Sequence, residues 1–117
     1  MAPNALTFKV LLKFDQEQQV WITHCLELDL VASSNVKKQA KEEIIDVIKA
    51  HVKYAFENNN IEYLFSPAPQ EIWDEYFASN EFEEHKSLIV WKAAKDKPPK
   101  HRFPSEIIAQ TGELRCA

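Results

Sequence analysis

Along the first half of the chain the apolar positions change their period once. From Leu6 to Phe14 they alternate, with Leu6, Phe8, Val10, Leu12 and Phe14 on one side. Alternation of this kind predicts a strand, whose side chains switch face at every residue. Gln19 to Ser33 is rich in β-branched and aromatic residues and breaks near Leu26-Glu27, so it predicts two more strands. From Val36 to Phe56 the apolar residues return at three- and four-residue steps, the period of an amphipathic helix. The expectation is three short sequential strands, antiparallel, with one helix packed on their apolar face.

The helix stripe is centred on Ile44 and takes in Ala40, Val47, Ile48, His51 and Ala55. Asn35 is the expected N-cap, and Asn58-Asn59-Asn60 the expected stop. Ile61 to Phe65 alternates and predicts a fourth strand. Pro69 suits the first turn of a second helix over Gln70 to Ala78, in which Ile72 pairs with Tyr76 and Trp73 with Phe77. Ser87 to Ala93 reads as a strand, the following segment as a proline-broken loop or tail, and Ser105 to Gln110 as a single helical turn. The fold class is α+β: a β-β-β-α-β layer with a second short helix and a further C-terminal strand. Residues 1–80 are expected to form the α+β domain, and 81–117 an extension with one strand and a basic, proline-containing tail.

Charge is unevenly placed. Residues 54–85 contain eight acids and no Lys or Arg, whereas residues 86–117 carry seven basic and three acidic groups. Such asymmetry bears on partners rather than on fold; the plain alternative is solvated surface. The longest apolar runs fall far short of the roughly 20 residues that span a bilayer, and no basic region followed by an apolar stretch opens the chain. Cys25 and Cys116 have neither metal-ligand nor disulfide-framework spacing. A cytoplasmic setting is the expectation.

The residues argue against catalysis. One glycine, Gly112, cannot build a phosphate-cradling loop and leaves few left-handed positions. His24 and Cys25 are adjacent on a strand and point to opposite faces, which is poor geometry for shared metal ligation. His51, on the apolar stripe, is expected to be a core histidine with one hydrogen-bond partner rather than a ligand or base. Cys25 is expected to be a buried small residue. The first strand carries no acid, and Glu27 and Asp29 share a face of the third strand as solvent-facing carboxylates. No enzyme activity, metal or cofactor is expected.

The span from Phe8 to Ile48 resembles the HicB-like antitoxin domain of bacterial toxin–antitoxin pairs. The matching residues are Phe8, Val10, Phe14 and Asp15, then Val20-Trp21, Cys25-Leu26-Glu27-Leu28, Ser33, Ala40 and Asp46-Val47-Ile48. The glycine usual before the tryptophan is Gln19, and the usual proline is Leu26. The family's DNA-binding tail has no counterpart after Phe77. The resemblance implies a degenerate ribonuclease-H-like layer without catalytic acids. It also implies a protein that masks a small RNA-cleaving toxin of the HicA type, as a homodimer or higher homo-oligomer.

The leading functional expectation is therefore a non-enzymatic module that caps a basic partner through Trp21, Glu62, Glu71, Asp74 and Glu75. Trp73, Tyr76 and Phe77 either anchor the partner or close the core. A second expectation is weak nucleic-acid contact through Lys95, Lys97, Lys100 and Arg102 in the tail, since clustered cations suit phosphate backbones. A third is a stand-alone oligomeric module that pairs through Ser87 to Ala93 as an edge strand.

Overall fold

Burial along the first strand explains its composition. In the computed structural model, which describes residues 4–91 and 103–114, β1 (Ala5–Asp15) buries Phe8, Val10 and Leu12 on one face and Leu11 on the other. An apolar run rather than strict alternation is what a strand covered on both sides needs. β1 pairs antiparallel with β2 (Val20–Cys25), which pairs antiparallel with β3 (Leu30–Ser34). α1 (Lys37–Glu57) follows, then a 3-10 helix at Ile61–Tyr63, α2 (Gln70–Phe77), β4 (Asn80–Leu88) and β5 (Glu106–Glu113). β5 lies parallel to β1, and β4 antiparallel to β5, giving one five-stranded mixed sheet in the order β3-β2-β1-β5-β4. The protein is α+β, with helices on both faces of the sheet.

α1 covers the face of Phe8, Val10, Cys25, Ile107 and Ala109 with Ile44, Ile48, Val52 and Phe56. Each such side chain contributes roughly 1.5–3 kcal/mol on full burial. The helix approaches closely because Ala40 is small. The Thr23 hydroxyl, itself fully buried, donates to the Ala40 carbonyl at 3.0 Å. α2 covers the opposite face over Leu11 and Leu26, with Ile72, Trp73 and Tyr76. Between the helices the chain passes around the end of the sheet. There the Ser66 and Ala68 N–H groups donate to the Glu27 and Leu26 carbonyls at 3.1 and 2.8 Å.

Several expectations need correction. Ile61 to Phe65 is not a strand: the Asn60 and Ile61 carbonyls accept from Tyr63 and Leu64. That tight turn delivers Leu64 to the core and leaves Tyr63 78% exposed. Five alternating residues are too few to separate the two outcomes. Of the strand expected over Ser87 to Ala93, Ser87 and Leu88 form the end of a strand that starts earlier, at Asn80; the Ile89 and Trp91 side chains pack on the core, and Lys92 and Ala93 lie outside the described residues. The helical turn expected over Ser105 to Gln110 is β5. It buries Ile107, Ala109 and Thr111 at every second position, but small residues mute that signal. Asn35 is not the N-cap: Val36 holds that place without a side-chain cap, and the Ser34 hydroxyl accepts its N–H. His51 is exposed, its Nδ1 3.3 Å from the Val47 carbonyl one turn back. The buried stripe runs instead through Ala40, Ile44, Ile48, Val52 and Ala55, with Ile45 and Phe56 beside it. Glu27 and Asp29 sit in the β2–β3 turn rather than on a strand, with Asp29 left-handed at φ 53°. The scarcity of glycine shows: the four left-handed residues described are Gln19, Asp29, Asn59 and Glu81.

Gly112 is needed for space, not for its dihedral freedom. A Cβ there would stand 2.3 Å from the Ser79 hydroxyl oxygen and 2.7 Å from the Phe82 ring. Gly112→Ala is expected to cost about 1–3 kcal/mol by overpacking, read as a lower midpoint in urea unfolding. A chain ending at Ser105 lacks β5, and is expected to lose cooperative thermal unfolding by circular dichroism, because β1 then loses a neighbour along its length.

Candidate partner-binding surface

α2 begins where Pro69, at φ −56°, sets the backbone for the first turn. Its eight residues divide by helical period. Ile72, Trp73 and Tyr76 turn inward; the Trp73 ring N–H donates to the Ala68 carbonyl at 3.1 Å, and the Tyr76 hydroxyl to the Gln110 carbonyl at 3.1 Å. Glu71, Asp74 and Phe77 lie at three-residue steps and share the outer face. All three are exposed, Phe77 by 66%. Glu75, at the margin, is half-buried and pairs with Lys13 at 3.4 Å.

The β1 lysines on this sheet face, Lys9 and Lys13, are already matched. Lys9 meets Glu27 at 3.6 Å and lies 5.9 Å from the centre of the Trp73 ring, while the Glu27 carboxylate also accepts the Lys9 N–H at 2.8 Å. Glu71 and Asp74, by contrast, form no ion pair among the described residues; Asp74 accepts only the Gln70 amide at 3.0 Å. Phe82 of β4 extends the surface, its ring 5.4 Å from that of Tyr76. Sequence reasoning missed Phe82, whose one signal is an aromatic residue inside an acidic run.

The residues assigned to partner binding separate into three places. Glu71, Asp74 and Glu75 come together on α2. Glu62 is exposed on the 3-10 helix. Trp21 lies on the α1 face of the sheet, 5.1 Å from the Phe14 ring and 5.0 Å from the Lys37 ammonium, and so is screened from α2 by the sheet itself. Trp73 is half-buried and closes the second core, whereas Phe77 does not. Lys95, Lys97, Lys100 and Arg102 lie outside the described residues, as does Cys116.

The reactive groups inside the fold are quiet. Burial, reinforced by the nearby Glu27 charge, pushes the Cys25 thiol from 9.0 up to about 12 against two backbone hydrogen bonds that pull it down. Burial and Glu27 also raise the Tyr76 hydroxyl. His24 pairs with Asp29 at 2.6 Å. Among the described residues no three His, Cys, Asp or Glu side chains group so as to hold a metal, and no helix is long and apolar enough to cross a membrane.

A thiol raised this far favours the folded state in its neutral form. Its contribution is intact below the unfolded thiol's pKa and erodes as pH climbs from about 9 towards about 12. In a Cys116→Ser background, iodoacetamide at pH 8 is expected to label native Cys25 roughly a thousandfold more slowly than urea-unfolded chain; equal rates would contradict its burial.

Comparison of the chain with protein-family models, with curated proteins and with solved structures finds no match in any of the three.

Proposed function

We propose that this chain is a non-enzymatic binding module that caps a basic, RNA-cleaving partner of the HicA type through the outer face of α2. The observation that carries this reading is the shared exposed face of Glu71, Asp74 and Phe77, beside the β1 lysines Lys9 and Lys13, which are matched by Glu27 and Glu75. Glu71 and Asp74 give this helix face negative charge. It draws cationic groups that would otherwise hold RNA phosphates, and it speeds and orients encounter. Exposed charge pairs contribute only about 0.2–1 kcal/mol each, so they set approach and register. Affinity rests on desolvating an aromatic anchor, here Phe77, at the centre of the contact.

The succession of elements also supports the reading. The meander β1-β2-β3, then α1, then β5 beside β1 is compatible with the β-β-β-α-β order that the resemblance implies, although α2 and β4, expected after that layer, come before its last strand.

Co-expression with a HicA-type ribonuclease encoded beside this chain is the test. The two are expected to elute as one complex at moderate salt and RNA cleavage to be suppressed. Glu71→Lys with Asp74→Lys should weaken the complex at least tenfold and restore cleavage, while leaving the thermal midpoint within a few degrees. Elution as separate species at moderate salt would end the masking role.

A further inference from the structure

The outer edge of β4 is built to pair with itself. Among the described residues β4 is the last strand of the sheet, and it is exposed at nearly every residue, including Phe82 at 56% and Leu88 at 71%. Its ladder with β5 runs through Glu84↔Gln110, His85↔Ala109 and Lys86↔Ile108. The next bond in that register is Ile89 N–H to the Ser105 carbonyl at 3.0 Å. Main-chain groups of an antiparallel strand alternate direction residue by residue. Odd-numbered residues therefore address β5, and the N–H and C=O groups of Glu84, Lys86 and Leu88 point outward.

We propose that this edge joins a second copy of the chain by antiparallel β4–β4 pairing about a two-fold axis at His85. The axis stands normal to the sheet, so facing residues must lie on the same sheet face. A centre at His85 satisfies that condition and sets Glu84 opposite Lys86 of the other copy, and Phe82 opposite Leu88. Each pair occurs twice by symmetry, as an isologous interface requires. The charged pairs are complementary and the exposed apolar pairs meet each other; both kinds stabilise cross-strand contacts. Glu84 and Lys86 carry the outward main-chain groups and form the hydrogen-bonded pair, while His85 meets its copy at the closer, non-bonded position.

The usual safeguards of an edge leave the centre of this register open. The ladder irregularity lies between Asn80 and Glu83, with Glu81 left-handed, so it touches only the outermost pair, Phe82 with Leu88, and leaves Glu83 to Ser87 regular about the axis. The one lysine of the strand, in other folds a deterrent to pairing, meets a carboxylate. The outcome is a single ten-strand sheet with both α2 helices on one face. This inference shares only Phe82 with the candidate partner-binding surface; Glu71, Asp74 and Phe77, which carry the capping role, take no part in it.

Sedimentation equilibrium of the full chain tests it. Wild type is expected to dimerise at tens of micromolar. Glu84→Lys alone and Lys86→Glu alone each place like charges face to face twice, and should raise the dissociation constant at least tenfold. The double swap Glu84→Lys/Lys86→Glu restores complementarity and should return it to within about threefold of wild type. In a Cys116→Ser background, His85→Cys should form an intermolecular disulfide under mild oxidation, since facing Cα atoms fall within disulfide reach. Circular dichroism confirms folding of each variant. A wild-type monomer at every concentration would overturn the proposal; so would a dimer indifferent to the single swaps, or one that His85→Cys does not cross-link.

Discussion

The structure depends on β1 having neighbours on all four sides. Its two edges bond to β2 and β5, and its two faces are covered by α1 and α2. A buried strand edge without a partner leaves main-chain donors and acceptors stranded, at a cost comparable to the lost bonds. Antiparallel β2 is reached by a short turn. Parallel β5 is not: parallel neighbours require a long crossover, and here the connection contains α1, α2 and β4. The C-terminal segment is consequently part of the centre of the fold, and the insertions between β3 and β5 are held in place by the strand that closes it.

The two helices make unequal use of their surfaces. α1 spends both apolar and charged groups on the sheet: Lys37 meets Glu113 at 2.5 Å and Lys41 meets Glu83. α2 is short, buries one side, and leaves its other side acidic. The acidic block of residues 54–85 thus has two parts. Glu75 and Glu83 are matched by Lys13 and Lys41, whereas Glu71 and Asp74 face solvent without an ion pair among the described residues. Net charge in a segment is a poor guide to charge available for a partner, because internal lysines subtract from it.

The same geometry relates the two proposed contacts. A two-fold axis normal to the sheet preserves its faces, so pairing of β4 edges would set two α2 surfaces side by side rather than back to back. A basic partner on one would then lie near a partner on the other, and both would stay clear of the α1 face where Trp21 sits.

Hydrophobic period alone determined β1, the break between β2 and β3, and α1, since each has a face that must leave water and hence a pattern. Pro69 and the residues after it likewise marked α2 and its acidic outer side. The sequence did not disclose β4, because an edge strand exposed on both faces has no apolar alternation to read. It muted β5, where Ala109, Thr111 and Gly112 fill space too tight for larger side chains. Nor could it place His51, since a helix over a twisted sheet buries a narrower stripe than the pattern offers. Which faces the acids and Trp21 occupy, and which carboxylates are already matched by lysines, was decided by tertiary structure. Those matters turn on contacts between residues as far apart as Lys13 and Glu75, a distance at which local pattern carries no information.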